Sequence, residues 1–205
     1  DGSLWAVGGR DGKVRLYSLP KLILAGELNH GHPVSAVAFD PTGKRLATAG
    51  DNTAIKVWNV VERSLAATLS GHEDHVLSVR FSNSGNELVS TSYDTTARVW
   101  DVATGRVKQV LQGHSWHVRG AAWSPDGQTV LTAGEDRRIV IWSRSGTGKF
   151  TRAEEDFTRH EAPVSSVALS ADGAIAASGD EAGRVWIWRP ADVGSDSAGV
   201  TRELT

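Results

Sequence analysis

Four residue types return at fixed spacing along this chain, and that spacing leaves few folds open. Between Gly71 and Asp101 the landmarks are His72, Ser90, Asp94 and Trp100, in steps of 18, 4 and 6 residues. The same steps recur at His114, Thr132, Asp136 and Trp142. His30, Thr48 and Trp58 keep them with Asn52 in the Asp place, while His160, Ser178 and Trp188 keep them with Ala182 there. A period in this range marks stacked supersecondary units, each too small to bury its apolar face alone.

Within each unit the apolar runs are short and rich in Val, Ile, Thr and aromatics. Turn compositions separate them, as in Asp40-Pro41-Thr42-Gly43, Ser124-Pro125-Asp126-Gly127 and Ala171-Asp172-Gly173. Proline presets φ and glycine accepts φ > 0, so these tetrads and triads bend the chain. No segment carries a sustained i, i+3, i+4, i+7 stripe, and helix content should be close to nil. An all-β chain with four short strands per unit is expected.

Counting back from each Trp fixes the unit boundaries. Gly31-His32 looks like the match for Gly71-His72, but the spacing from Trp58 selects His30. Residues 1–29 form a partial unit: Leu4–Gly8, Val14–Ser18 and Ile23–Leu28 are strands, Tyr17 takes the Trp place, and Val7 replaces the hydroxyl. Its first strand and its His are absent. Complete units follow at 30–70, 71–112, 113–158 and 159–205, the third of them with a longer loop around Ser143–Lys149. The tail Val200–Thr205 resembles Val107–Gln112, the strand that closes the second complete unit.

Charge excludes some partners. The formal net charge is −2, without the basic footprint of a nucleic-acid binder. No apolar run approaches the roughly 18 residues of a membrane helix. The chain has no Cys, which removes disulfides and thiol chemistry and fits a reducing, cytoplasmic setting. It has no Met either, so it is expected to be a piece of something longer.

The units resemble the WD repeats of β-propeller proteins. Trp100-Asp101 carries the literal dipeptide, while Trp58-Asn59, Trp142-Ser143 and Trp188-Arg189 keep only the Trp. The resemblance implies four complete blades and one partial blade, from a ring that most often has seven. It also implies a hydrogen-bonded chain of indole, hydroxyl, imidazole and turn carboxylate in each blade. The sets are His30, Thr48, Asn52 and Trp58; His72, Ser90, Asp94 and Trp100; His114, Thr132, Asp136 and Trp142; and His160, Ser178 and Trp188. By this template the two middle blades are complete and the most rigid, and the Trp188 blade lacks its carboxylate.

Three catalytic or ligand-binding readings compete with that structural one. Ser, His and Asp in fixed relation suggest a hydrolase, but a triad needs one exposed nucleophile beside an oxyanion hole. This set repeats, with Trp attached. Ser145-Gly146-Thr147-Gly148-Lys149 suggests a phosphate loop, yet Ser143 and Phe150 stand where Gly and Ser or Thr are required, and no helix follows. His72/His75 and His114/His117 have metal-like spacing without a completing carboxylate or thiol. No catalytic residue, cofactor or metal is therefore expected.

The family's partner-binding face carries the loops ahead of the first strands and the tight turns before the Trp strands. Carried over, its positions are His75, Leu77 and Tyr93, then His117, Arg119 and Glu135, with Trp116 added in the leading loop. The flanking blades contribute Pro33, Ser35 and Asp51, and Pro163, Ser165 and Glu181. Tyr, Trp and Arg are enriched at interface hot spots. The resemblance thus implies a non-enzymatic scaffold that docks a protein or peptide. Alternatives are a regulatory propeller attached to a kinase, protease or NTPase, or a propeller that binds a small molecule through carboxylates and His in its channel. The remaining blades of a longer parent chain are a further expected partner.

Overall fold

The computed structural model describes residues 2–194 and 202–204. They form five antiparallel sheets, each an up-and-down meander in which consecutive strands pair. The first holds β1 (Leu4–Gly8), β2 (Lys13–Ser18) and β3 (Ile23–Asn29). The second holds β4 (Val34–Phe39), β5 (Arg45–Gly50), β6 (Ala54–Asn59) and β7 (Ser64–Ser70). The third runs β8 (Val76–Phe81), β9 (Glu87–Ser92), β10 (Thr96–Asp101) and β11 (Val107–Gln112). The fourth runs β12 (Val118–Trp123), β13 (Thr129–Gly134), β14 (Ile139–Arg144) and β15 (Phe150–Arg152). The fifth runs β16 (Val164–Leu169), β17 (Ala176–Asp180), β18 (Val185–Trp188) and β19 (Arg202–Leu204). Of the strand expected over Val200–Thr205, residues 200, 201 and 205 lie outside the described residues.

These sheets are propeller blades, and their inner strands pack in series: β1 on β4, β4 on β8, β8 on β12, β12 on β16. Among the described residues the first blade has three strands, as its sequence implies, and β1 pairs with β2 alone. Trp5 and Val7 stand exposed on the face of the sheet turned away from the second blade, where the equivalent Leu88 and Ser90 of the third blade are buried, Leu88 against the preceding blade. In the fourth blade the outer strand is interrupted after Arg152 and resumes as a single bridge between Ile139 and Phe157.

The core lies between blades rather than within them. Val14, Leu16 and Leu28 of the first blade meet Leu46, Trp58 and Val60 of the second. The opposite face of the second, through Ala47, Ile55, Val57 and Leu69, meets Val76, Leu88 and Trp100. Neighbouring residues such as Leu88 and Val89 therefore belong to different cores, as the two-residue period of a strand demands. This is why β9 is buried at every position. Each blade Trp faces the preceding blade, and at zero exposure Trp100 would leave a cavity costing about 3–5 kcal/mol if truncated to Ala.

Candidate functional site

Latches inside the blades set the positions of the surface loops. In the third blade the Trp100 indole N–H donates to Ser90 Oγ at 2.7 Å, and Ser90 Oγ lies 2.7 Å from His72 Nε2. His72 Nδ1 lies 2.6 Å from Asp94 Oδ2. An ionised carboxylate can only accept, so Nδ1 carries the proton, and Nε2 accepts from the serine hydroxyl. The fourth blade repeats this chain: Trp142 to Thr132 at 2.9 Å, Thr132 to His114 Nε2 at 2.8 Å, and His114 Nδ1 to Asp136 at 2.9 Å. In the second blade the ring is turned over: His30 Nδ1 faces Thr48 Oγ1 at 2.9 Å, and Nε2 donates to Asn52 Oδ1 at 3.0 Å. Trp58 donates to Thr48 at 2.9 Å, so the amide holds the opposite tautomer in the same frame. His32, by contrast, is exposed.

The fifth blade corrects the sequence expectation. Ala182 occupies the template position, but the blade does not lack a carboxylate. Asp180, two residues earlier at the foot of β17, places Oδ2 2.8 Å from His160 Nδ1. His160 Nε2 meets Ser178 Oγ at 2.8 Å, and Trp188 donates to Ser178 at 3.2 Å. Asp180 takes the ladder position of Gly134 in the preceding blade, since Val164 pairs with Asp180 as Val118 pairs with Gly134. Three blades therefore carry complete chains rather than two. In the first blade, Asp11 has no imidazole and turns instead to Arg15 at 2.6 Å.

Burial raises the cost of ionising Asp94, Asp136 and Asp180. Hydrogen bonds from the imidazoles and from turn N–H and O–H groups outweigh it, and all three carboxyls are held below the usual range. Thr48, Ser90, Thr132 and Ser178 are all buried, so none of these hydroxyls is open to a substrate carbonyl. Among the described residues no group of three or more His, Cys, Asp or Glu side chains is placed to hold a metal. Ser145–Lys149 is a tight turn closed by Gly148 N–H to Ser145 O at 2.8 Å.

Above the latches, two backbone features recur in every complete blade. The residue at the end of the leading loop accepts a hydrogen bond from the residue that opens the tight turn: Asp51 N–H to Pro33 O, Tyr93 to His75, Glu135 to His117 and Glu181 to Pro163, at 2.9–3.0 Å. The residue after the first-strand Val is a β-bulge, with register breaks at Val34/Ala36, Val76/Ser78, Val118/Gly120 and Val164/Ser166. A bulge re-aims the extra side chain, here Ser35, Leu77, Arg119 and Ser165.

The structure brings six of the seven expected partner-binding residues into one cluster. The Tyr93 ring lies between His75, with centroids 5.7 Å apart, and His117, at 4.2 Å. Trp116 stands edge-on to His117 at 6.2 Å and is 60% exposed. The Arg119 guanidinium sits 5.8 Å from the Tyr93 centroid, and its Nε donates to Glu135 Oε1 at 2.6 Å. Glu135 also meets His117 Nδ1 at 3.0 Å, and Arg119 reaches Glu181 of the next blade at 3.6 Å. Leu77, the seventh, is half-buried in the inner wall with Ser35 and Ser165. Asp51 is exposed on the second blade.

Several contacts between blades had no trace in the sequence. Arg144 Nη2 reaches Glu87 Oε2 at 2.6 Å across the third and fourth blades, while Lys108 of the third blade itself holds Glu87 Oε1 at 2.6 Å. Gln109 donates to Phe150 O at 2.6 Å and accepts from its N–H at 2.8 Å, extending strand-like pairing from blade to blade.

Comparison with known proteins adds a family. One stretch of 68 residues, 32% of this chain, is 35% identical to the 66 kDa stress protein of Physarum polycephalum, and spans 11% of that protein. The WD domain, G-beta repeat family matches residues 24–59, 63–101, 105–143 and 152–189. Each match starts in or just ahead of the outer strand of one blade and ends at the third strand of the next, so sequence unit and sheet are out of phase. With these repeats covering more than half of its length, each complete blade latched by its own Trp, the chain belongs to the WD-repeat family of β-propellers.

Proposed function

We propose that this chain is a non-enzymatic docking module that receives a protein or peptide segment on the central face, in a reducing cytoplasmic setting. The family typically mediates protein–protein interaction, and one observation carries the reading here. Tyr93, His75, His117 and Trp116 form an aromatic group rimmed by Arg119, Glu135 and Glu181, with Trp116 presenting most of its ring to solvent. Rigid amphipathic rings beside charged groups lose little entropy on binding and can supply both contact area and hydrogen bonds. The absence of Cys fits the proposed compartment.

Peptides selected from a random library on the wild-type chain test the reading. Tyr93→Ala and Trp116→Ala should each weaken the selected peptides by about 30-fold, the scale of a hot-spot residue. Melting curves should stay unchanged for Trp116→Ala. Peptides that bind both variants as well as wild type would refute docking at this face.

A further inference from the structure

The inner wall of the propeller carries a second feature. Four inner strands, β4, β8, β12 and β16, converge on a cavity of about 350 Å³. Their only charged side chains are Arg80 and Arg119, both cationic, and no carboxylate among the described residues lines the cavity. Serine hydroxyls complete its polar lining: Ser35, Ser78, Ser165 and Ser166.

These groups differ in what they already bind. Arg119 is paired with Glu135 at the rim. Ser35 donates to Val76 O at 2.6 Å and Ser165 to Gly179 O at 3.1 Å. Arg80 is exposed, makes one bond, from Nη1 to Val79 O at 2.9 Å, and has no acidic partner among the described residues. The Ser78 and Ser166 hydroxyls likewise have no hydrogen-bond partner among the described residues. An unpaired guanidinium fork beside free hydroxyls, with no acid in the cavity, is a donor set suited to an oxyanion. It does not suit a metal or a cation.

We propose that this cavity binds a phosphate or carboxylate group, with Arg80 as the principal contact and Ser78 and Ser166 as supporting donors. A free small molecule and a side chain of a bound peptide present this group with the same recognition chemistry. This site is separate from the aromatic cluster, although Arg119 borders both.

Isothermal titration with inorganic phosphate, citrate and a phosphoserine peptide, each against sodium chloride of matched ionic strength, tests the proposal. Saturable binding of at least one probe is expected, weakened about tenfold or more in Arg80→Gln and less in Arg80→Lys. Circular dichroism should show both variants folded, since Arg80 makes no latch contact. Phosphate and citrate binding without the peptide would assign the site to a free anion; peptide binding would assign it to a side chain, and both results support the site. No saturable binding by any probe, or undiminished binding in Arg80→Gln, would overturn it. Tyr93→Ala should bind the anions normally, so failure of the docking reading would leave this result standing.

Discussion

Replacing Asp180 with Ala should destabilise the chain far more than its place near a surface turn suggests. Both side chains of the His160–Asp180 pair are fully buried. Besides His160, the carboxylate accepts N–H bonds from Ala182 and Arg184, both at 3.0 Å. Water can replace it at the two turn amides, whose residues are at least partly exposed. It cannot reach the imidazole, whose Nδ1–H is left unsatisfied at about 1–3 kcal/mol. With loss of the charge-assisted bonds the total comes to about 2–4 kcal/mol, or a melting temperature lower by about 4–16 °C for a chain of this size. Urea denaturation followed by tryptophan fluorescence measures it, with Trp188 one ring from the altered group. Ala182→Asp, which restores the template residue, should change stability by less than about 0.5 kcal/mol in the wild-type background. A loss below about 0.5 kcal/mol for Asp180→Ala would refute the assignment.

Two further outcomes follow from the same geometry. The folded pKa values of Asp94, Asp136 and Asp180 lie below their unfolded values, so these groups stabilise the fold above about pH 4 and lose that contribution as pH falls further. Burial lowers the pKa of His30 as well, so the unfolded chain takes up that proton first and stability should already decline below about pH 6.5. Urea midpoints between pH 7.5 and 3 should show both stages, with His30→Gln removing the upper one; a flat response from pH 7 to 5 would contradict this. Across the third and fourth blades, Glu87→Ala leaves the largely buried Arg144 without its carboxylate and should cost about 1.5–3 kcal/mol in the same assay, where a loss under about 0.5 kcal/mol would show that the bridge contributes nothing.

What could be read from the sequence was whatever repeats at fixed spacing. The choice of His30 over His32, the three-stranded first blade and the four strands of each later blade all follow from counting between landmarks. Asp180 escaped because counting assumes that the carboxylate always leaves the chain from the same point of the turn. A side chain at the strand's foot can meet the same imidazole, and only the β16–β17 register shows that it does. The Arg144–Glu87 and Gln109–Phe150 contacts join residues 57 and 41 positions apart and belong to no motif. The aromatic cluster was legible as a set of positions. Its geometry was not, because the placement of Tyr93 between two imidazoles depends on how adjacent blades are angled. Leu77 shows the same limit: its position is equivalent to that of Arg119, but the short apolar side chain stays in the wall while the long cationic one reaches the rim.

The phase offset between sequence unit and sheet has an evolutionary corollary. A gene duplication or excision that respects the matched boundaries cuts each blade after its third strand, in the loop to the outer strand or within that strand. The outer strand left behind on one side is replaced by an equivalent one on the other, so no sheet is left short by the event. Wedges can thus be gained or lost whole while each junction remains stitched by one continuous polypeptide, and the number of wedges becomes a heritable variable separable from the architecture of any one of them.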